Sequence, residues 1–440
     1  MKSNQRKICQ ALALLISAMG ASAAMAGPLV QGGGSSLVAP TIGLTASTLN
    51  EIGLFGTTEA TLTYYSVGSG AGQTAFLNNL PASFGAGVTG TVDFANSDAA
   101  LTTAQITGYT RTATDGPLIQ IPYIVTPITI SLANGPAVTS TTTPQTNPNQ
   151  SHSIALNDAD LCGIFSGNFT NWNQVTNPET GAKYAASTIT VVYRTDASGT
   201  NELLTRHLAN VCPNVTPTTT KTGVTFVDSL ALGDSFPGHT VPTSFVGVSN
   251  SAGVRNALLA AISTSSGAPA LVAYLSPDYT NTFLAPKSTV VTTTGAVQLS
   301  VASLQNSAAT GAPIVAPTAA NASAAVATMT LPTNPADQTQ WVPTSGSAYT
   351  ALANPTAGYP ISGTSQIILS QCYKDATVGQ AMHDFLNDHF TSASFISVVQ
   401  GNGFNTLPSA FTTAVVSDFL VGTKANLNIN NSTICSGKGR

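Results

Sequence analysis

A β-rich run, a Gly/Ser turn and the start of a helix recur in that order along this chain, and this recurrence constrains the fold most. Leu62 to Val67 alternates with β-forming residues, Gly68-Ser69-Gly70-Ala71-Gly72 turns, and Gln73 to Asn78 begins a helix. Thr188 to Tyr193 repeats the pattern. It is followed by Thr195 to Gly199 and by a helix from Thr200 through Leu208, with Leu203, Leu204, His207 and Leu208 on one side. Strands alternating with helices predict an α/β architecture with largely parallel sheets. Ligand crevices in such folds lie beyond the carboxyl ends of the strands.

A chain of 440 residues is longer than one hydrophobic core usually organises, so at least two lobes are expected. The run Pro122 to Ile130 is apolar, β-branched and punctuated by prolines, as suits an extended crossing between lobes. Tyr359-Pro360-Ile361, followed by Gln366 to Leu369, reads the same way. If both are crossings, residues 27–124 and 359–440 form one lobe and residues 125–358 the other. Two low-complexity stretches, 137–151 and 287–347, read as surface loops or insertions within the second lobe.

Lys2, Arg6 and Lys7 precede an uncharged stretch from Ile8 to Ala26 that ends in Ala24-Met25-Ala26. That is the layout of a cleaved secretory signal over residues 1–26, with maturation at Gly27. A single membrane anchor is the rival, but the second half of the stretch is Gly, Ser and Ala rather than Leu and Ile. Cleavage removes three of the 14 basic residues and none of the 18 acidic ones, leaving a formal charge of −7. Nucleic acid and acidic membrane are not the partners expected on that balance. Beyond Cys9, four cysteines remain: Cys162, Cys212, Cys372 and Cys435. In an oxidising compartment an even number reads as disulfides. Three pairings are open, of which Cys162–Cys212 with Cys372–Cys435 is the most local and the one expected. It would set one disulfide inside each lobe. No Cys/His cluster has metal spacing, so neither a metal nor another cofactor is expected.

Three Gly/Ser-rich turns precede helices: Gly32 to Ser36, with Pro40 near the helix start; Gly68 to Gly70; and Ser198 to Thr200. Helix N-termini expose unpaired N–H groups and partial positive charge, so each turn is a candidate oxyanion cradle. Taken singly, a Ser or Thr there is more often a cap. Arg194, four residues before Ser198, adds a cation. Asp98 adds an acceptor: phosphate at neutral pH keeps a proton to donate, whereas sulfate has none and would meet repulsion. The plainer readings are that Asp98 caps a helix and that Arg194 pairs with Asp196.

These segments resemble, in order, the phosphate-contacting motifs of the phosphate-binding proteins of ABC transporters. They are Gly32 to Pro40, Gly68 to Gly72, Val92-Asp93-Phe94-Ala95-Asn96-Ser97-Asp98 and Arg194-Thr195-Asp196-Ala197-Ser198-Gly199-Thr200. Leu161 to Gly167 with Trp172, Val191 to Arg194 and Thr200 to Arg206 resemble the DING branch in particular. Tyr274 to Tyr279 and Leu407-Pro408 are similar to family segments too. The resemblance implies a type 2 two-lobed periplasmic-binding-protein fold with the ligand cleft between lobes. It also implies high-affinity capture of inorganic phosphate by an exported protein, for uptake or scavenging, with an ABC permease as possible partner. Carried over residue by residue, Ser36, Ser69, Ser198 and Thr200 would give hydroxyls and N–H groups, and Leu37 and Gly199 N–H groups. Arg194 would supply the cation, oriented by Asp196, and Asp98 would accept the ligand's proton. The family pattern has Thr then Phe where this chain has Ser36 then Leu37, and the name-giving DING sequence is absent.

Two other functions compete: a secreted phosphatase of the DING type, and a surface adhesion protein built on the Thr/Ala-rich insertion. Phosphatase chemistry needs a metal pair or a nucleophile with a base, and His383 and His389, six apart, fall on different faces of a helix. An exported binding protein rather than an enzyme is the expectation.

Overall fold

The computed structural model describes residues 27–262, 268–422 and 426–440. The expected secretory signal, residues 1–26, lies outside the described residues. The strands are β1 (Leu29–Gly34), β2 (Thr61–Ser66), β3 (Phe94–Ser97), β4 (Leu118–Pro127), β5 (Thr129–Ala133), β6 (Ala155–Leu156), β7 (Ile189–Arg194), β8 (Val246–Val248), β9 (Ala270–Leu275), β10 (Ser300–Gln305), β11 (Ile314–Val315) and β12 (Ser362–Ser370). They form two sheets. One has five strands in the order β2-β1-β3-β12-β4. The other has seven, in the order β11-β10-β5-β9-β7-β8, with β6 paired to β10. The helices that bear on the site and its walls are α1 (Ser69–Asn78), α2 (Asp158–Phe165), α3 (Gly199–Val211), α4 (Asn250–Ala261), α5 (Ala319–Val326), α6 (Gln338–Trp341), α7 (Gly346–Ala353) and α8 (Ala376–Thr391). This is the α/β fold expected from the alternation of strands and helices.

The sheets are mixed rather than largely parallel. β1 runs parallel to β2 and β3, and β7 to β8 and β9, but β12 is antiparallel to both β3 and β4. The reason is directional. β4 carries the chain out of the first sheet and β12 brings it back, so the two lie side by side in opposite senses. β4 ends at Pro127 and β5 begins at Thr129, so the first passage between sheets falls at Ile128, after a strand buried along its whole length. The register of β4 against β12 shifts between Ser365 and Gln366, where Ile124 and Pro122 face them in turn. Pro122 has no N–H to give, and a bulge at such a point re-aims neighbouring side chains.

The segment read as an insertion, 287–347, is built into the fold. β10 pairs with β5, β6 and β11. α5 packs against β4 and β12, and α6 against β4, so both lie on the first sheet. Ala322, Ala325 and Val326 are the buried face of α5, and Trp341 of α6 is fully buried beside the Phe411 and Phe419 rings. Alanines spaced three and four apart allow close packing on a sheet while giving almost no contrast in hydropathy, which is why the stretch reads as low complexity. Residues 137–151 are tied down as well: Thr146 and Asn147 side chains donate to the Val301 and Leu299 carbonyls.

Both local disulfides are present. Cys162 of α2 joins Cys212, just past the end of α3, and Cys372, just past β12, joins Cys435. No described helix is long and apolar enough to cross a membrane.

Candidate oxyanion site

The parallel strands of both sheets end at one crevice. Beyond β1, β2 and β3 lie Ser35 and Ser36, Ser69, and Asp98; beyond β7, β8 and β9 lie Asp196 and Ser198, Ser251, and Asp278. Gly34 makes the first turn possible. Its φ is 130°, and a Cβ there would fall 2.2 Å from the Asn96 carbonyl oxygen. The chain then turns so that Ser35 N–H donates to that same carbonyl at 2.8 Å.

On the first wall, Asp98 organises the hydroxyls. Ser35 and Ser365 both donate to its Oδ1, at 2.6 and 2.8 Å, and Ser69 reaches its Oδ2 at 3.5 Å. Asp98 N–H in turn donates to Ser69 Oγ at 3.1 Å. A carboxylate oxygen accepts about two hydrogen bonds, so Oδ1 is filled while Oδ2 has room for one more donor. Burial pushes the Asp98 carboxyl above the usual range, and the Ser35 and Ser365 hydrogen bonds, the Arg194 charge and the Ser69 hydroxyl moderate that rise. Leu37 N–H, expected to face a ligand, donates to Ser35 Oγ at 3.1 Å.

On the second wall, Asp196 grips Arg194. Nε donates to Oδ1 at 2.6 Å, Nη2 donates to Oδ2, and Asn250 N–H adds a bond to Oδ1 at 3.0 Å. Burial raises the Asp196 carboxyl, but the bonds and charge of Arg194 and the Asn250 N–H outweigh it, and the net direction is downward. Arg194 and Asp196 therefore stand as an ion pair, the plainer reading, and the pairing fixes the guanidinium plane. Ser198 caps α3, accepting from Asn201 N–H at 3.3 Å. Thr200 Oγ1 is buried with no hydrogen-bond partner.

The walls touch. A Cβ on Gly199 would fall 2.6 Å from both Asp98 Cβ and Ser69 Oγ, so only glycine lets the start of α3 approach so closely. Gly70 N–H donates to the Ala197 carbonyl at 2.9 Å, and Ser251 N–H donates to Ser36 Oγ at 3.0 Å. Leu37, Ser36, Ser69, Asp98, Arg194, Ser198 and Thr200 are each at most 3% exposed. The residues expected to contact an oxyanion are brought together where the two walls meet, while the four cysteines are engaged in the two disulfides.

Sequence reasoning missed Ser35 as a partner of Asp98, and missed Ser365 and Ser251. Ser251 had a signal. Val246 to Val248 followed by Ser249-Asn250-Ser251-Ala252-Gly253 is a fourth strand, turn and helix start. Asp278 is fully buried, neither carboxylate oxygen has a partner, and burial pushes its pKa well up. Chemically, the crevice offers converging hydroxyls, a helix N-terminus, one cation and one half-vacant carboxylate. It suits a tetrahedral oxyanion that still carries a proton. Among the described residues no group of three or more metal-ligating side chains occurs.

Known proteins are similar to this chain in sequence and in fold. A family profile described as the PBP superfamily domain matches residues 21–392. Alkaline phosphatase L of Pseudomonas aeruginosa is 33% identical over 435 residues, covering 98% of each chain. A phosphate-binding protein from an unknown prokaryotic organism is 33% identical over 386 residues, covering 86% of this chain and 93% of that one. Among solved structures, a high-affinity periplasmic phosphate-binding protein bound with phosphate (PfluDING) aligns with a TM-score of 0.69 at 30% identity, covering 93% of this chain and 99% of its own. The crystal structure of a DING protein aligns with a TM-score of 0.72 at 31% identity and the same coverage. With that breadth of match and two sheets meeting at one crevice, the chain belongs to the PBP superfamily, in the branch that holds the DING and phosphate-binding proteins.

Proposed function

We propose that this chain captures one inorganic phosphate between its two sheets and closes over it. The observation that carries the reading is Asp98: a buried carboxylate with one oxygen filled and the other half vacant, set among donors. Donors alone would take sulfate as readily. A carboxylate among them favours an anion with a proton to give. Arg194, held by Asp196, supplies the attraction, and Ser36, Ser69, Ser198, Gly199 and Thr200 supply hydroxyl or N–H donors from both walls. Leu37 N–H would join them if Ser35 released it.

The two lobes of this proposal are the first sheet, with residues 27–124 and 359–440, and the second sheet, within 125–358. α5 and α6 travel with the first sheet, against which they pack. Donors on opposite walls can replace the ion's hydration shell only by converging, which implies hinged closure about the passages at Ile128 and Tyr359 to Ile361. The chain is exported, its product is captured phosphate rather than a hydrolysed ester, and delivery to an ABC permease or scavenging outside the cell is its use.

Calorimetry of the chain from Gly27 onward, with phosphate, sulfate and arsenate, tests this directly. One phosphate per chain, arsenate close behind and sulfate far weaker is the expected order. Equal affinity for phosphate and sulfate would sink it. A parallel assay with a phosphomonoester should show no turnover, and sustained release of phosphate would make the chain an enzyme.

A further inference from the structure

Ser36 is a serine whose hydroxyl can rotate, yet a donor to an anion must present its hydrogen to the ligand and nowhere else. A hydroxyl has one hydrogen and two lone pairs. Ser251, at the start of α4 on the opposite wall, meets Ser36 twice: its N–H donates to Ser36 Oγ at 3.0 Å, and its hydroxyl lies 2.9 Å from the same oxygen. Behind it, Arg194 Nη1 donates to Ser251 Oγ at 3.4 Å. Both serines are 1% exposed.

Two bonds of this chain have a fixed direction, and they favour one sense for the hydroxyl pair between them. A guanidinium has hydrogens and no lone pair, so Ser251 Oγ accepts from Arg194. Ser251 can then pass its own hydrogen to Ser36 Oγ, whose lone pairs are taken by the Ser251 N–H and hydroxyl together. With Ser251 as the donor of that pair, the one hydrogen left on Ser36 points away from α4, into the crevice. The first N–H groups of α4 have settled partners: that of Asn250 goes to Asp196, that of Ser251 to Ser36, and that of Gly253 to the Asn250 side chain. Of these helix-terminal donors, only the one on Ser251 reaches the other wall.

We infer that Ser251 is a positioning residue for anion capture, fixing Ser36 as a donor and linking that donor to the Arg194 charge across the cleft. The inference rests on the phosphate reading above and deepens it. Ser251 would act through Ser36, not by touching the anion, and its effect would not depend on the ligand's proton.

Phosphate and sulfate titrations of the wild type, Ser251→Ala, Ser36→Ala, the double variant and Ser251→Thr test it. Ser251→Ala keeps the N–H but loses the hydroxyl, and should weaken phosphate about fivefold to tenfold, with sulfate weakened by about the same factor. Because Ser251 acts through Ser36, the double variant should bind no worse than Ser36→Ala alone. Ser251→Thr, which restores the hydroxyl, should bind as the wild type does; Ser36→Ala leaves the buried Ser251 N–H without its acceptor and should lower the melting temperature of the ligand-free chain, so every titration is run well below that transition. Losses that multiply in the double variant, or wild-type affinity in Ser251→Ala, overturn the inference. A wild type that takes up no phosphate overturns it together with the phosphate reading, and that control tells the two failures apart.

Discussion

The two walls of the crevice are built from the same local pattern and do opposite electrostatic work. The first wall presents a buried carboxylate ringed by Ser35, Ser69 and Ser365; alone, it repels an anion. The second presents the Arg194 guanidinium and the start of α3; alone, it attracts any anion of suitable size. Attraction and discrimination are thus separated in space, and a ligand meets both only when Gly199 lies against Asp98 and Ser69. Repulsion at one wall is tolerable because attraction at the other outweighs it, and only a ligand that turns Asp98 from a like charge into an acceptor gains from both.

The broadest way to break this comparison is to loosen one wall and leave the other. Cys162–Cys212 braces α2 against α3 on the second wall, and Cys372–Cys435 braces the chain after β12 on the first. Their sequence separations are 50 and 63, so in the chain-entropy model each should contribute roughly 4 kcal/mol to stability. Replacing either pair by Ala and following urea unfolding of the ligand-free chain should show a loss of that size. A loss under about 1 kcal/mol would mean that the braced elements hold without the covalent link.

Next in size is Arg194→Ala. It removes the attraction and leaves Asp196 buried without its cation, so phosphate and sulfate should both weaken by roughly 3 kcal/mol, about two orders of magnitude. The ratio between them should survive. If sulfate alone were lost, Arg194 would belong to discrimination and the division of labour between walls would be wrong.

Asp98→Asn sharpens the comparison from the other side. An amide still accepts through its oxygen and can also donate, so phosphate should lose at most about 1.5 to 3 kcal/mol while sulfate gains. Because burial holds the Asp98 carboxyl above its ordinary range, its ionised form costs the ligand-free fold stability at neutral pH. The amide variant should therefore melt no lower than the wild type. A clear drop in melting temperature would show Asp98 to be a structural anchor for Ser35 and Ser365 first.

Much of this was readable because the determinants are local. β-branched runs ending in Gly/Ser turns mark β2 and β7, and Gly32 to Ser36 marks the turn after β1; those turns carry Ser36, Ser69 and Ser198, Arg194 closes β7, and Asp98 was legible through the resemblance of Val92 to Asp98 to the family motif. Starts of helices were less legible. α1 begins at Ser69 rather than Gln73, through a Ser-Gly-Ala-Gly stretch with poor helix propensity, because Gly72 packs against the backbone of Gly34. Long-range partners were not legible at all. Ser365 meets Asp98 from 267 residues away, and Ser251 meets Ser36 from 215. Neither distance leaves a trace in a single sequence. α5 was hidden by its own composition, since small residues pack well without looking like a core.

The smallest effect expected is the most specific to the wall that discriminates, and it is a pH dependence. Burial raises the Asp98 pKa, so this carboxyl takes up its proton at a higher pH than an exposed aspartate would. For the ligand-free fold the sign is that stability is greatest below the unfolded carboxylate range, about pH 4, and falls as pH rises through the folded value. For binding, the same protonation reverses the preference. An ionised Asp98 accepts from phosphate and repels sulfate, whereas a protonated one has a hydrogen to donate to sulfate and has lost the charge that repelled it. Phosphate also gains a proton on acidification, but sulfate carries none throughout the range, which makes it the cleaner probe. Titrating both anions from about pH 8 to about pH 4.5 should show the phosphate-to-sulfate ratio falling as the solution is acidified. The decline should come mainly from tighter sulfate binding, and Asp98→Asn should flatten the sulfate curve because no carboxyl remains at that place to titrate. A ratio that stays level in the wild type, or a sulfate curve that keeps its slope in Asp98→Asn, would place the proton-reading group elsewhere. Asp278, the other buried carboxyl at this end of the crevice, would then be the residue to substitute.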